Sequence, residues 1–88
     1  MLDVRYSTQY KKDMKFCARR KYDMDLLKPV IDTLRIPKTL PPQYRNHGLG
    51  GQYKGYQECH ITSDWLLVYK YGKGDLLLYR TGTHSDLF

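Results

Sequence analysis

Long hydrophobic runs are absent from this sequence. Its longest uninterrupted aliphatic stretches, residues 66–68 and 76–78, fall far short of the roughly 20 apolar residues of a membrane-spanning helix. The opening residues, MLDVRYSTQYKK, also lack the apolar run of about 7 to 15 residues that a secretion signal contains. We therefore expect a cytosolic protein that has no membrane partner.

Cysteine is scarce, and its placement argues against a disulfide or a zinc site. There are two cysteines and no C-x-x-C motif. Cys17 lies in a helical pattern and Cys59 in a strand-like one, which is typical of buried, reduced thiols. Cys59 and His60 are neighbours on the predicted strand, so their side chains point to opposite faces and cannot share one zinc ion. We expect neither a metal nor a cofactor.

Acidic residues are few in the first part of the chain. Residues 1–54 carry twelve lysines and arginines against five aspartates, whereas residues 55–88 carry three basic residues against four acidic ones. The net charge of +6 and the nine tyrosines indicate a polyanionic partner, most commonly a nucleic acid. A basic surface that is merely solvated is the alternative. The 88 residues, free of repeats and low-complexity segments, predict a single domain over residues 1–88.

The first 20 residues predict a strand followed by a helix. Apolar and polar residues alternate from Leu2 to Tyr6, as in a half-buried strand. Ser7 can cap the helix that follows, whose buried face would hold Tyr10, Met14 and Cys17. The opposite face carries four basic residues: Lys11, Lys12, Lys15 and Arg19. That face either attracts phosphates or is simply exposed to solvent.

A second helix is predicted in the segment DMDLLKPVIDTLR. Four apolar residues fall on one side of it: Met24, Leu27, Ile31 and Leu34. Pro29 interrupts the pattern, because a proline beyond the first helical turn removes a backbone donor and bends the helix. The helix therefore either begins late, with Asp25 as its N-cap, or kinks at Pro29.

The rest of the chain predicts a long loop and then three strands. Residues 36–52 contain three prolines and three glycines, which is typical of an ordered, functional loop. The segments YKGYQECHI, DWLLVYKYG and DLLLYRTG read as strands joined by tight turns, and so as an antiparallel meander. The predicted order is β-α-α-β-β-β, an α+β fold with two N-terminal helices packed on an antiparallel sheet.

Residues that can move protons or hold a phosphate concentrate near the ends of the predicted strands. The end of the first meander strand, the start of the second and the end of the third meet at one rim of the sheet. That rim would bring together His60, Asp64, Arg80 and His84, with His47 arriving from the long loop. Metal-free RNA cleavage needs a base, an acid and a fixed cation, which histidine and arginine supply. A single histidine at such a position is more often a structural cap, and it is the set at one rim that favours catalysis.

Trp65 follows Asp64 directly and has two interpretations. A lone tryptophan at the start of a strand is usually a packing residue. One that borders an active site can instead stack on an unpaired base.

Two segments, HGLGGQYKGYQECHITSDWLLVYK and LYRTGTHSDLF, closely resemble the YafQ branch of the RelE-like bacterial toxins. The opening of the first helix, STQYKKDMK, and the loop TLPPQY extend the resemblance over essentially the whole chain. These toxins are ribosome-dependent messenger-RNA endonucleases of type II toxin-antitoxin modules, with a RelE-like, microbial ribonuclease-like fold. Relatives can place an aspartate at the position of Glu58 and a tryptophan at that of Tyr53.

The resemblance also implies roles for individual residues. His84 would be the leading proton-transfer residue and general acid, and Arg80 would stabilise the transition state. The implied catalytic set is His84, His60, Asp64, Arg80 and His47, and the implied substrate-contacting set is Trp65, Phe88, Lys54 and Glu58. Phe88 is expected to hold the last turn of the chain in place so that His84 is correctly positioned.

Partners follow from the same resemblance. A DinJ-like antitoxin, partly disordered when free, is expected to cover the active rim or the basic face. The ribosome and mRNA would be the targets, and operator DNA would be reached only through the antitoxin complex. A catalytically inactive RNA- or ribosome-binding module on the same scaffold remains an alternative. A DNA-binding regulator is weaker, because no helix-turn-helix spacing is present.

Overall fold

One five-stranded sheet organises the molecule, which a computed structural model describes over residues 1–88. Its strands are β1 (Asp3–Tyr6), β2 (His47–Gly48), β3 (Gln57–Thr62), β4 (Trp65–Tyr71) and β5 (Asp75–Gly82), in the spatial order β1-β5-β4-β3-β2. The helices are α1 (Thr8–Arg19), α2 (Leu27–Arg35) and α3 (His84–Leu87), with 3-10 turns at Met24–Leu26, Pro42–Tyr44 and Gly51–Tyr53. The predicted α+β class and the β3-β4-β5 meander are confirmed.

Three features of the topology differ from the prediction. The sheet is mixed, because β1 pairs parallel to β5 while the other pairs are antiparallel. A parallel pair requires a crossover, and here the whole intervening chain provides it. The long loop also contributes the two-residue strand β2, which pairs with β3. Finally, the chain ends in the short helix α3.

Helix α1 begins and packs as its pattern predicts. The Ser7 side chain accepts a hydrogen bond from the Tyr10 N–H, and its hydroxyl donates to the Tyr79 carbonyl of β5. Tyr10 and Cys17 are buried against the sheet. The Ser7 hydroxyl therefore both starts the helix and ties it to the strand that it covers.

Helix α2 resolves the problem that Pro29 posed. The helix begins at Leu27, so Pro29 is its third residue and falls within the first turn, where backbone N–H groups have no helical acceptor. The helix starts late and needs no kink. The proposed N-cap Asp25 is wrong, because a 3-10 turn precedes α2 and the Asp23 carboxylate caps that turn instead.

The sheet is covered on both faces. Its helix side holds the larger core, where Cys59, Leu67, Leu76 and Leu78 pack against α1 and α2. On the other face a smaller cluster is formed by Tyr53, Leu66, Val68 and Leu87. Because both faces are covered, the central strand β4 is buried from Trp65 to Tyr69. The second cluster supports the residues described below.

Both cysteines are free and lie in the core on the helix side. Burial raises the pKa of the Cys59 thiol to about 12, so the thiol stays protonated at neutral pH. No helix in the structure is both long and apolar enough to cross a membrane.

Candidate active site

The three histidines form a row on the sheet face opposite α1 and α2. The ring centroids of His47 and His60 are 6.3 Å apart, and those of His60 and His84 are 5.8 Å apart. His47 comes from β2, His60 from β3 and His84 from α3, so three separate elements converge. Of the five residues predicted to meet at one rim, four come together: His47, His60, Asp64 and His84. The fifth, Arg80, is bonded to Asp13 of α1 instead. His60 lies inside β3 rather than at its end, and Asp64 lies in the β3–β4 turn.

His84 is held by Asp64. One oxygen of the Asp64 carboxylate accepts both the His84 backbone N–H, at 3.2 Å, and the ring Nδ1–H, at 3.1 Å. These bonds, the ring bond first, lower the pKa of the Asp64 carboxyl, so it is ionised at neutral pH. An ionised carboxylate can only accept, so Nδ1 of His84 carries a proton. Nε2 is therefore the ring nitrogen that is left for proton transfer.

Helix α3 fixes the backbone of His84. Thr83 and Asp86 form a reciprocal capping box at its start, and the Asp86 carboxylate also pairs at 2.6 Å with Arg20, the C-cap residue of α1. Gly82 precedes the helix at φ +154°, and a Cβ there would lie 2.8 Å from an Asp86 oxygen. Only glycine therefore fits before this turn. The Arg20 guanidinium lowers the pKa of Asp86 and keeps this carboxyl ionised.

His47 and His60 share the carboxylate of Glu58. Nε2 of His47 lies 3.6 Å from Glu58 Oε1, and Nε2 of His60 lies 3.5 Å from the same oxygen. The His47 ring also bonds the Arg45 carbonyl through Nδ1. Nδ1 of His60 is buried and has no hydrogen-bond partner in the chain. The Glu58 side chain is only 4% exposed, so it is placed to orient the two rings. This burial disfavours its predicted direct contact with substrate.

Arg80 is not hydrogen-bonded to the histidines. Its Nε and Nη2 donate to the Asp13 carboxylate of α1, at 2.8 Å and 3.3 Å. A β-bulge precedes it, because Val68 pairs with Arg80 and the next residue, Tyr69, pairs with Leu78. The Arg80 side chain remains 20% exposed. The Asp13 bond is the main reason that the pKa of the guanidinium is raised, with a smaller contribution from the Tyr53 hydroxyl.

Phe88 lies beside His84. Its ring is 6.2 Å from the His84 ring and packs edge-on against Tyr53 at 5.1 Å, while its backbone N–H donates to the His84 carbonyl. The Tyr53 hydroxyl donates to the Leu87 carbonyl. These contacts tie the last turn of the chain to the row of histidines.

Trp65 is a core residue. It is 2% exposed, packs on Tyr22 and donates its indole N–H to the Thr81 hydroxyl. Its suggested role in stacking on a base is therefore wrong, because both faces of the ring lie inside the protein. Lys54 is exposed just after the 3-10 turn that holds Tyr53, where it is available to a phosphate.

The contacts of three residues beside the candidate site were not predicted from the sequence. Asp13, Arg20 and Asp86 were not singled out, although the sequence THSDLF contains the Thr-x-x-Asp signature of a helix start. No comparable local signal links Asp13 to Arg80, which is 67 residues away. No group of three or more histidine, cysteine or acidic side chains is arranged to hold a metal ion.

Comparisons with known proteins identify the family and the fold. The family model of the bacterial YafQ toxin of type II toxin-antitoxin systems matches residues 2–88. The mRNA interferase toxin YafQ of Escherichia coli (strain K12) is 46% identical over 88 residues, which cover 98% of this chain and 95% of that protein.

Solved structures share the whole fold. A copper-bound mutant toxin from Helicobacter pylori has a TM-score of 0.96 and 39% identity, with 100% of both chains covered. A chain of the E. coli DinJ-YafQ complex has a TM-score of 0.90 and 39% identity, covering 100% of this chain and 99% of that one. Since both the family model and the shared fold extend over essentially all residues, the chain belongs to the YafQ family of bacterial toxins from type II toxin-antitoxin systems.

Proposed function

We propose that this protein is an mRNA interferase, an endoribonuclease that cuts mRNA on the ribosome and thereby stops translation. The observation that carries the proposal is the pair of rings His60 and His84, 5.8 Å apart, with Asp64 orienting one and Glu58 contacting the other. Relatives that match nearly the whole chain carry the name mRNA interferase toxin YafQ.

The proposed reaction is an attack by the RNA's own 2′-hydroxyl. A base removes the proton from the 2′-oxygen, which forms a bond to phosphorus while the bond from phosphorus to the 5′-oxygen breaks. An acid gives a proton to that leaving oxygen. The products are a 2′,3′-cyclic phosphate and a 5′-hydroxyl. A general base and a general acid each act over about 3 Å, on the 2′-oxygen and the 5′-oxygen respectively. The His60 and His84 rings, whose centroids are 5.8 Å apart, can therefore lie on either side of one phosphate.

The two rings differ in a way that suggests their roles. His84 is fixed through Nδ1–H by an ionised carboxylate, so its Nε2 can be presented to the leaving oxygen as the general acid. His60 lies between the other two rings, and because its Nδ1 is buried without a hydrogen-bond partner, Nε2, which faces Glu58, is the nitrogen that can take a proton. We assign His60 as the base, with Glu58 stabilising the charged ring that forms. His47 also contacts the Glu58 carboxylate and would help to hold it beside His60.

Positive charge would act on the phosphates. Arg80 would stabilise the charge that develops on the phosphate oxygens, because its planar fork fits a phosphate. Lys54 and the basic face of α1 would hold flanking phosphates of mRNA and ribosomal RNA. Phe88, which is 57% exposed, offers an aromatic ring beside His84 on which an unpaired base can stack.

A DinJ-like antitoxin would hold the toxin inactive until it is needed. Solved E. coli structures contain DinJ together with YafQ. A chain of each has the fold of this protein, over 100% and 99% of this chain. The toxin's net charge of +6 favours an acidic segment that folds on binding. Operator DNA would be contacted through the antitoxin.

The test is primer extension on a reporter mRNA incubated with ribosomes and purified protein. Wild type should produce discrete cuts that require ribosomes. His84→Ala should abolish them, whereas the matched control Ser85→Ala, an exposed neighbour in α3, should cut like wild type. A substrate with a single 2′-deoxy nucleotide at the cut site should resist cleavage, because the attacking oxygen is missing.

Two outcomes would contradict the proposal. A folded wild-type protein that never cuts RNA, with or without ribosomes, would favour the inactive binding module. Cleavage of the 2′-deoxy substrate would rule out attack by the 2′-hydroxyl while leaving the nuclease assignment in place.

A further inference from the structure

Asp13 of α1 is a buried carboxylate with every acceptor position occupied. It is 6% exposed. One oxygen accepts from Arg80 Nε, at 2.8 Å, and from the Thr81 backbone N–H, at 3.1 Å. The other accepts from Gln9 Nε2, at 3.0 Å, and from Arg80 Nη2, at 3.3 Å. These four hydrogen bonds fix the orientation of the carboxylate, and the carboxylate in turn fixes the orientation of the Arg80 guanidinium.

The sheet topology explains why Asp13 reaches β5. Strand β1 pairs with β5 only as far as Leu78, so beyond that point β5 has a free edge. The N–H of Thr81 lies on this edge, and Asp13 satisfies it. A buried edge donor needs a partner, but any acceptor would serve that purpose. The additional side-on pairing of Asp13 with Arg80 is not needed to satisfy the Thr81 N–H.

The pairing leaves the catalytically useful edge of the guanidinium open. Arginine has five N–H donors, and Asp13 takes Nε–H and one hydrogen of Nη2. The remaining three belong to Nη1 and Nη2, which together form the end-on fork that binds two oxygens of a phosphate. Asp13 and a phosphate can therefore bind the same guanidinium at the same time, on different edges.

An unrestrained arginine would be a poorer catalyst. Fixing a long side chain costs rotamer entropy, and a group that is fixed before substrate arrives does not incur this cost in the transition state. The Tyr53 hydroxyl, which acts on the Arg80 guanidinium, donates a hydrogen bond to the Leu87 carbonyl of α3, the helix that carries His84. Asp13 of α1 thus holds Arg80, and Tyr53 connects Arg80 to α3.

We propose that Asp13 is a positioning residue of the nuclease: its buried carboxylate holds the Nε edge of Arg80, so that the Nη1–Nη2 edge is presented to the scissile phosphate. This inference rests on the proposed function, because it assigns Asp13 an effect on the same reaction. Asp13 does not contact RNA and acts only through Arg80.

The first test is Asp13→Asn in the single-turnover version of the ribosome cleavage assay. The amide has a similar shape but lacks the charge, and it turns a donor toward one of its former donors. The rate at saturating protein should fall on the order of 10- to 100-fold, as for other lost supports of a reacting group. The protein concentration giving half the maximal rate should change little. Asp32→Asn is the matched control, since Asp32 forms an exposed pair with Lys28, and should behave as wild type.

A double-mutant cycle separates positioning from folding. In an Arg80→Ala background, Asp13→Asn should cause no further loss of cleavage, because its target is gone, whereas the loss of thermal stability that comes from the Gln9 and Thr81 hydrogen bonds should persist. If Asp13→Asn does not fold, Asp13→Glu takes its place in the same cycle. It keeps the buried charge but moves the carboxylate, and it should also reduce the rate only when Arg80 is present.

Each result has a distinct meaning. If the Asp13 variant is folded and cleaves mRNA at the wild-type rate, the positioning role is overturned, whereas the proposed nuclease activity is not. A loss that is equally large in the Arg80→Ala background also overturns it, since Asp13 would then act by another route. If wild type and Asp32→Asn are both folded and neither cuts, the proposed function fails and the positioning role fails with it.

Discussion

Phe88 illustrates how a single exposed side chain can matter more for activity than for stability. It is 57% exposed, yet its ring contacts both Tyr53 and His84. Removing a ring that is more than half exposed forfeits little buried apolar area. The same change removes the neighbour that restricts the His84 ring and the surface on which we expect a base to stack.

Phe88→Ala should therefore reduce cleavage by about tenfold or more, the usual loss when a base-stacking contact worth 1–3 kcal/mol is removed. The melting temperature should fall by only a few degrees. Phe16→Ala is the matched control, because Phe16 is 54% exposed and its ring contact is with Arg19 rather than with a histidine. Parallel losses of activity and stability in Phe88→Ala, or unchanged cleavage, would refute the positioning of His84 by Phe88.

The sequence was sufficient to predict which residues meet at the candidate site where their positions along the strands decided it. His60, Asp64 and His84 were placed together because the direction of an antiparallel meander reverses at each turn. The states of Trp65 and Arg80 were not predictable in this way. The burial of Trp65 depends on Tyr22, and the partner of Arg80 is Asp13, both contributed by distant elements. No local pattern encodes such contacts.

Helix α3 is the element on which the site depends most, although it has only four residues. Isolated helices of this length do not form in water, so its geometry comes from its caps and from tertiary contacts. Asp86 supplies two of these, since it bonds the Thr83 N–H and the Arg20 guanidinium. The Thr-x-x-Asp signature makes the helix start recognisable in the sequence. No sequence pattern predicts the ion pair between Asp86 and Arg20.

Asp86→Asn should destabilise the protein by about 1 kcal/mol at neutral pH, which corresponds to roughly 4–8 °C in melting temperature for a domain of this size. The pKa of Asp86 is lowered in the folded state, mainly by Arg20, so its contribution is complete above the ordinary carboxyl pKa and is lost as pH falls through the folded value. The difference between wild type and variant should thus be constant from pH 7 to about pH 4 and shrink below that.

Thermal denaturation of both proteins between pH 7 and pH 2.5 measures this difference. Asp32→Asn, which breaks only an exposed pair with Lys28, serves as the control and should shift the melting temperature very little at any pH. A wild-type advantage over Asp86→Asn that grows toward acid would contradict the assigned ion pair. So would the complete absence of a difference at pH 7.

The division of charge along the chain becomes a division of surfaces in the whole molecule. Asp13 of α1 points toward β5, and Arg20, the C-cap of the same helix, points toward α3, so one side of α1 supports the candidate chemistry. Its other side exposes lysines, including Lys12 and Lys15. The prediction of a basic N-terminal face and a catalytic C-terminal sheet was therefore incomplete, because one helix serves both.

Lys12→Gln combined with Lys15→Gln should weaken the association with ribosomes and leave catalysis by the bound protein unchanged. Each lost phosphate contact should reduce the slope of log affinity against log salt concentration by about 0.7 to 0.9. The melting temperature should stay within about 1–2 °C of wild type, since both side chains are exposed. Ribosome binding measured across a salt series, together with single-turnover cleavage at saturation, gives both quantities.

Lys73→Gln is the control for this prediction, because Lys73 is also exposed but lies in the β4–β5 turn, at the opposite end of β5 from His84. If the lysines of α1 bind phosphate, the double variant should lose affinity mainly at low salt and approach wild type as screening increases. An unchanged salt slope would identify the face as merely solvated. A lower cleavage rate at saturation would instead place these lysines near the reacting phosphate, where charge changes the chemical step and not only the encounter.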